Sequence, residues 1–150
     1  MFQPYLFAAV ALAACLPAPA PAAAAPLYAG AGLGARHDAR LYLGRRYESL
    51  QFRGGEAALS LEAIGYAGDA AWRALGLAYV GGYKFDALSL HVRLGAAYGG
   101  AARRRRPAAL YGYGGAYALD ADWSLHLDWD SVPGGAEREG LLTAGLSYRF

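Results

Sequence analysis

The stretch Leu141–Phe150, LLTAGLSYRF, alternates strictly between apolar residues and small or polar ones. Counted back from the end, the first set is Phe150, Tyr148, Leu146, Ala144 and Leu142. The residues between them are Arg149, Ser147, Gly145 and Thr143. A period of two is typical of a β-strand with two different faces. The last residues of a soluble domain are usually frayed and polar, so this terminus is predicted to lie within a sheet.

The same alternation recurs along the chain, most clearly in Leu88–Tyr98 (LSLHVRLGAAY) and Trp123–Asp130 (WSLHLDWD). Breaks containing Gly and Asp divide the chain into eight predicted strands, near 27–36, 40–51, 55–65, 71–84, 88–98, 108–118, 123–131 and 140–150. Tight turns are expected near Arg53–Gly55, Phe85–Ala87 and Leu119–Asp122, and they alternate with mostly longer connections. An even number of strands of about 9–11 residues, joined in this way, is typical of an antiparallel membrane barrel.

The apolar face of these strands is expected to point outward into lipid. The opposite face is rich in Gly, Ala and Ser, whereas a solvated surface carries many more charges. Aromatic residues near the strand ends match the interfacial girdles of such barrels; they are Trp72, Tyr98, Tyr111, Tyr117, Trp123, Trp129 and Tyr148. The predicted fold is therefore all-β, an eight-stranded antiparallel up-and-down transmembrane β-barrel. A soluble ligand-binding barrel of the lipocalin kind remains the alternative, because it alternates too.

Composition supports a β-rich chain and excludes some functions. The 150 residues are 56% apolar and 17% charged, with 21 Gly, 12 Tyr and a single Met. This usage argues against a helical bundle. The formal charge of +2 is too small to indicate a nucleic-acid-binding protein.

Residues 1–25 are predicted to be a signal peptide, with cleavage at about 22–25 and the barrel over 26–150. The apolar run Tyr5–Leu16 is too short to span a membrane, since a spanning helix needs about 20 apolar residues. A segment rich in proline and alanine, which contains the small residues expected at a cleavage site, follows this run. Cys15, the single cysteine, sits in a lipobox-like LAAC. It is either lipidated or removed with the leader.

Four stretches resemble the OmpA-like small outer-membrane β-barrel family; they are Tyr28–Gly34 (YAGAGLG), Leu90–Gly99 (LHVRLGAAYG), Tyr111–Asp130 (YGYGGAYALDADWSLHLDWD) and Gly145–Phe150 (GLSYRF). Arg40–Gly55 matches poorly. The resemblance implies a barrel-only member in the cell outer membrane. It also implies that Tyr148 and Phe150, in the C-terminal aromatic strand, form the signal read by the barrel assembly machinery.

The interior of an eight-stranded barrel is just wide enough for its own side chains. A polar network is predicted to fill it, built from Glu62, His91, Arg93, His126, Asp128, Asp130 and Arg149, with Glu56 on the same face. These residues carry both signs of charge and can pair across the lumen. The sequence thus predicts a filled barrel rather than an open pore.

The segment HLDWD, His126–Asp130, is the one with catalytic character, because a histidine beside carboxylates can act as a general base. Small outer-membrane lipid A deacylases use a His and a Ser on the outer face. Here Asp128 follows two residues after His126, and Ser124 and Ser131 are near in sequence alone. The sequence predicts no enzyme, no cofactor and no metal; a lipid-modifying hydrolase and a His/Asp metal site are weaker alternatives.

The run Arg103–Arg106 follows the fifth strand. With both termini in the periplasm, this loop faces the cell exterior, where guanidinium groups can bind lipopolysaccharide phosphates. The alternative is a solvated loop. The sequence therefore favours a monomeric structural or surface-interaction protein whose partners are outer-membrane lipid, lipopolysaccharide and the barrel assembly machinery, with no nucleic acid.

Overall fold

The protein is a closed barrel, described by a computed structural model over residues 26–35, 37–69, 71–101, 103–133 and 138–150. Its strands are β1 (Leu27–Gly34), β2 (Ala39–Phe52), β3 (Gly55–Ala67), β4 (Arg73–Phe85), β5 (Leu88–Gly100), β6 (Arg106–Ala118), β7 (Trp123–Pro133) and β8 (Arg138–Arg149). Each strand pairs antiparallel with the next, and β8 pairs with β1. The predicted fold class is confirmed. The predicted signal peptide and Cys15 lie outside the described residues.

The described part of the chain contains no helix that is both long and apolar enough to cross a membrane.

The C-terminal strand closes the barrel. Tyr148 pairs with Ala29 of β1, and the backbone N–H of Phe150 donates to the carbonyl of Leu27 at 2.9 Å. Closure pairs the backbone groups that an open sheet edge would leave exposed. The alternating pattern of the terminus is therefore explained by its position between β7 and β1.

The strand β2 is longer and less regular than its sequence pattern suggests. The register with β3 shifts between Arg46 and Glu48, so an extra residue is inserted there. A bulge exchanges the two faces of a strand. Leu41 points outward before the bulge and Leu50 points outward after it, although a strict period of two would place them on opposite faces.

The two ends of the barrel differ. The turn end carries the start of β1, the end of β8 and the connections 53–54, 86–87 and 119–122. The loop end is where β1, β3, β5 and β7 end and where β2, β4, β6 and β8 begin. Gly54 and Asp86 have φ angles of 92° and 52°, in the left-handed region that Gly, and Asp more readily than most residues, can adopt. In the last turn, Asp120 Oδ1 accepts the backbone N–H groups of Trp123 and Asp122, each at 2.8 Å. These two bonds hold the pKa of the Asp120 carboxyl below its usual range.

The outer surface of the barrel is an apolar belt. Its members are large side chains exposed on consecutive strands; they include Leu59, Leu75, Leu77, Tyr79, Leu90, Val92, Leu94, Tyr113, Leu125, Leu127, Leu142 and Leu146. Aromatic rings pack against one another on this surface, with Tyr113 stacked on Trp129 at 5.3 Å and Tyr148 5.0 Å from Trp123. The belt is the surface that the alternation in the sequence predicts.

Trp72 is not part of the outer aromatic set, and the prediction that it lies there is wrong. It is 6% exposed, and its Nε1–H donates to the carbonyl of Pro133 at 2.9 Å. Trp72 is an even number of residues from Ala74 and Ala78, which are buried in the lumen, so the alternation of the strand places it on the same inner face. The indole therefore turns inward over the loop end, where its N–H finds an acceptor.

The lumen is divided along its length. An apolar plug fills the half near the loop end; it consists of Ile64, Tyr66, Trp72, Leu110, Val132 and Leu141. Charged side chains lie next to it, further from the loop end, and a cavity of about 170 Å³ opens beyond them at the turn end. The barrel is thus packed in one half and accessible to water in the other.

Candidate functional site

The central feature of the lumen is a set of five charged side chains, named here the lumen cluster. Its members are Arg40, Glu62, Arg93, Asp128 and Asp130, each at most 3% exposed. They come from β2, β3, β5 and β7, and each side chain is buried inside the barrel. The fold therefore brings together charges that are far apart in the chain.

Arg93 lies at the centre of this cluster and contacts all three carboxylates. Its Nε donates to Glu62 Oε2 at 2.8 Å, Nη1 to Asp130 Oδ1 at 3.1 Å and Nη2 to Asp128 Oδ1 at 3.0 Å. A guanidinium presents its donors in a fixed planar fork. One arginine can therefore order three acids that come from two strands.

Arg40 forms a second set of ion pairs. Its Nη1 lies 2.6 Å from Asp128 Oδ2, and its Nε lies 3.5 Å from Asp130 Oδ2. The guanidinium carbon is also 4.4 Å from the centre of the Tyr42 ring, a cation–π contact. Arg40 thus contacts the Oδ2 atoms of the two aspartates, whereas Arg93 contacts their Oδ1 atoms.

Tyrosine hydroxyls complete the shell around the acids. Tyr28 donates to Glu62 Oε1 at 2.9 Å, and Tyr66 donates to Asp130 Oδ2 at 3.1 Å. Tyr66 also belongs to the apolar plug, so it joins the polar and apolar halves of the lumen. A buried carboxylate is tolerated when it is paired and hydrogen-bonded, and these acids meet that condition.

Two inward-facing glycines make room for the acids of β7. Gly112 pairs with Asp130 and Gly114 with Asp128 across the β6–β7 ladder. A methyl group at either glycine would overlap the Oδ1 atom of its partner, and one at Gly114 would also lie 2.8 Å from His91 Nε2. Glycine inside a strand often marks such a close approach. The Tyr–Gly repeat of β6 therefore places aromatic rings outside and leaves space for carboxylates inside.

Two histidines lie where the cluster meets the cavity. His91 Nε2 is 2.6 Å from Asp128 Oδ1, and His126 Nε2 is 2.6 Å from Ser147 Oγ. The two imidazole rings are 6.0 Å apart. Both histidines, Ser147, Arg93 and Glu62 line the cavity. The cavity floor is therefore polar and can exchange water or small ions with the turn end.

The structure places six of the seven residues predicted for the lumen network around this floor, namely Glu62, His91, Arg93, His126, Asp128 and Asp130. Arg149, the seventh, instead lies at the mouth of the cavity, where it donates to the carbonyl of Ala121. Its position at the end of β8 carries it past the cluster along the barrel axis. Glu56 also lies near the turn end, 3.6 Å from Arg46 Nη1.

Arg40 is the cluster residue that sequence reasoning missed. Its segment matches the family pattern poorly, and the same strand contains the bulge after Arg46. The signal was nevertheless present, since Leu41 and Leu43 alternate outward and leave Arg40 and Tyr42 on the inner face.

The run Arg103–Arg106 lies at the loop end, on the opposite side of the apolar plug from the cavity. All four side chains are exposed, and Arg106 is the first residue of β6. The run therefore forms a basic surface patch that is separate from the lumen cluster.

No family model matches the sequence, and no curated protein matches it. Solved structures do match. A de novo designed transmembrane β-barrel is 14% identical to this chain, with a TM-score of 0.58. The match covers 87% of this chain and 98% of the designed protein. Ail of Yersinia pestis, in complex with the heparin analogue sucrose octasulfate, is 14% identical to this chain, with a TM-score of 0.56. The match covers 84% of this chain and 97% of Ail. The outer membrane enzyme PagL is 17% identical to this chain, with a TM-score of 0.56. The match covers 84% of this chain and 99% of PagL. The fold is thus that of small transmembrane β-barrels.

Proposed function

We propose that this chain is an outer-membrane protein of the OmpA-like kind, with a structural or surface-interaction role and no enzymatic activity. The observation that carries the proposal is the apolar belt around a closed barrel, with the five charged side chains of the lumen cluster buried inside. A water-soluble barrel has the opposite distribution, with its charges on the outer face. The belt therefore favours lipid as the surrounding medium over the alternative of a soluble ligand-binding barrel.

We also propose that the barrel assembly machinery recognises the C-terminal strand and that the folded barrel is a monomer. Phe150 is exposed, and its ring meets that of Tyr148 edge-on at 5.1 Å. Both rings lie on the outer face at the turn end, where a machinery that recognises the last strand can reach them. Because the barrel pairs every strand with two neighbours, no edge is left for another copy, and we propose a monomer.

The loop end is the proposed contact surface, with Arg103–Arg106 as its basic element. Guanidinium groups bind phosphate and sulfate oxygens in pairs of charge-assisted hydrogen bonds. Lipopolysaccharide carries such phosphates at the surface of an outer membrane. The complex of Ail with a sulfated heparin analogue is a case of a barrel of this fold that binds a polyanion.

The hydrolase alternative has one structural feature in its favour, the 2.6 Å contact between His126 and Ser147. This pair lies inside the lumen rather than on the lipid-facing surface. His126 Nδ1 is 3.9 Å from Asp128 Oδ2, which is beyond hydrogen-bond length. A lipid acyl chain in the membrane does not reach this position, so we propose a non-enzymatic role.

The first prediction concerns the barrel in detergent. The solubilised outer-membrane fraction, run on cold SDS-PAGE, is expected to show two mobilities: a folded band without boiling and an unfolded band after it. Closed membrane barrels keep every backbone group paired and so resist the detergent until heated. A protein that is found in the soluble periplasmic fraction, with one mobility at both temperatures, would contradict the proposed location.

The second prediction concerns the loop patch. Replacing Arg103, Arg104 and Arg105 together by glutamine is expected to weaken binding to lipopolysaccharide about tenfold, because exposed charge pairs contribute about 0.2–1 kcal/mol each. Binding is measured with folded protein in micelles at low and at physiological salt, and the salt dependence should fall as well.

The matched control removes the same charge from the other end of the barrel by replacing Arg45, Arg46 and Arg53 with glutamine. We expect this variant to bind like the unaltered protein. An equal loss in both variants would show a general charge effect and would overturn the assignment of the loop patch.

A further inference from the structure

Two histidines and a carboxylate converge at the floor of the turn-end cavity. His91 comes from β5, and His126 and Asp128 come from β7. One donor atom of each lies within 4.8 Å of the donor atoms of the other two. Two imidazoles and one carboxylate form a common protein ligand set for zinc.

His126 has a ring nitrogen that lacks a hydrogen-bond partner. Its Nε2 contacts Ser147 Oγ, while its buried Nδ1 makes no hydrogen bond. When Nε2 carries the proton and donates to Ser147, Nδ1 presents a lone pair towards Asp128 Oδ2 at 3.9 Å. Two acceptors then face each other, and Asp128 Oδ2 is also 2.6 Å from Arg40 Nη1. Ligands on a tetrahedral zinc ion are separated by roughly 3.4 Å, given bonds of about 2.0–2.1 Å, so the spacing suits a bridging cation.

We propose that His91, His126 and Asp128 bind a divalent transition-metal ion, with Zn²⁺ as the first candidate. A ligand set with two imidazoles favours zinc, copper or nickel over magnesium or calcium, which prefer oxygen ligands. The fourth position faces the cavity and is open to water. The proposed metal site does not depend on where in the cell the protein resides.

The charge of the lumen cluster favours a cation at this place. Arg40 and Arg93 supply two positive charges, and Glu62, Asp128 and Asp130 supply three negative ones. The cluster therefore carries a formal charge of −1 when both histidines are neutral. Metal binding at His91 Nε2 would replace the present contacts of that nitrogen with Asp128 Oδ1 and Arg93 Nη2, while Arg40 and Arg93 continue to hold the carboxylate.

The surroundings of the site also fit this assignment. A histidine that binds metal usually donates its other ring N–H to a protein acceptor, which fixes its orientation. Ser147 is that acceptor for His126. The cavity of about 170 Å³ joins the site to the turn end and gives a hydrated ion a path to it.

The test uses the full mature barrel, folded in detergent and carrying no polyhistidine tag. Titration calorimetry with Zn²⁺ is expected to show one site per chain. Co²⁺ added in its place should give the visible absorption of an ion bound to imidazole nitrogen, and Zn²⁺ should remove that absorption.

Variants then locate the site. His91→Ala and His126→Ala are each expected to weaken Zn²⁺ binding at least about 100-fold, because each loses a direct ligand, and Ser147→Ala is expected to weaken it about tenfold. His37→Ala is the matched control, since it removes the third histidine, which lies at the loop end. The shift in mobility on heating shows whether each variant is folded, and His126→Gln replaces His126→Ala if that variant does not fold.

Three outcomes would overturn the proposal. The first is that the unaltered protein gives no stoichiometric Zn²⁺ binding and no Co²⁺ spectrum. The second is that binding persists unchanged in the folded variants of both lumen histidines. The third is that His37→Ala lowers binding as much as they do, which would assign the metal to the surface.

Discussion

Replacing Arg93 by methionine is expected to lower the free energy of unfolding by about 3–5 kcal/mol, the usual cost of removing one partner from a buried ion pair. Methionine has a similar length but no charge. Its introduction leaves Glu62, Asp128 and Asp130 with Arg40 as the one remaining cluster cation. The formal charge of the cluster changes from −1 to −2 in a region that water reaches from one side. Denaturant titration in micelles, followed by Trp fluorescence, measures the change.

A second substitution separates charge balance from lost packing. Adding Glu62→Gln to Arg93→Met restores the formal cluster charge of −1, and part of the lost stability is expected to return. Arg103→Met, at an exposed position, is the control and should change stability by no more than about 0.5 kcal/mol. If Arg93→Met were as mild as Arg103→Met, the lumen cluster would contribute little to the stability of the barrel.

The architecture could be predicted because membrane barrels separate their two faces residue by residue. In β5, alternate residues from Leu88 to Tyr98 lie on the outer surface, while Arg93 is buried. The turns could be placed because Gly54 and Asp86 tolerate left-handed φ angles. These are local properties, and a single sequence contains them.

The errors come from features that depend on several strands at once. The bulge in β2 is defined by pairing with β3, and it interrupts the period of two between the first and second halves of the strand. Residue type and nearness to a strand end predict an outer position for Trp72, whereas its environment depends on Pro133 of a distant strand. Arg149 is on the inward-facing side of β8 by its alternation, but it lies at a different position along the barrel axis from the lumen cluster. Alternation along a strand shows which face a side chain is on. The register of the whole barrel determines how far along the barrel axis that side chain lies.

Contacts among the lumen residues could not be predicted for the same reason. The sequence showed that acids and bases share the inner face. It did not show that Arg93 reaches both β3 and β7, or that Ser147 meets His126. These contacts depend on the strand tilt and on glycines such as Gly112 and Gly114, which allow carboxylates to approach the opposite strand.

Leu94→Arg is expected to destabilise the barrel in a lipid bilayer by about 2–4 kcal/mol, the cost of an arginine at the midplane on the outer face of a barrel. Leu94 is the middle residue of the 13-residue β5 and is 65% exposed. Its cross-strand partners, Tyr79 and Tyr111, are exposed apolar residues too. The guanidinium would therefore have to lie in hydrocarbon. The measurement is the unfolding free energy of the protein folded into phospholipid vesicles.

Leu119→Arg provides the matched control, because Leu119 is similarly exposed but lies in a connection at the turn end. The cost of arginine falls to about 0–1 kcal/mol near the membrane interface, so we expect a clear difference between the two variants. In a soluble barrel both positions would face water and both substitutions would be close to neutral. Equal and small effects would therefore show that the apolar belt does not face lipid, and the proposed outer-membrane location would have to be abandoned.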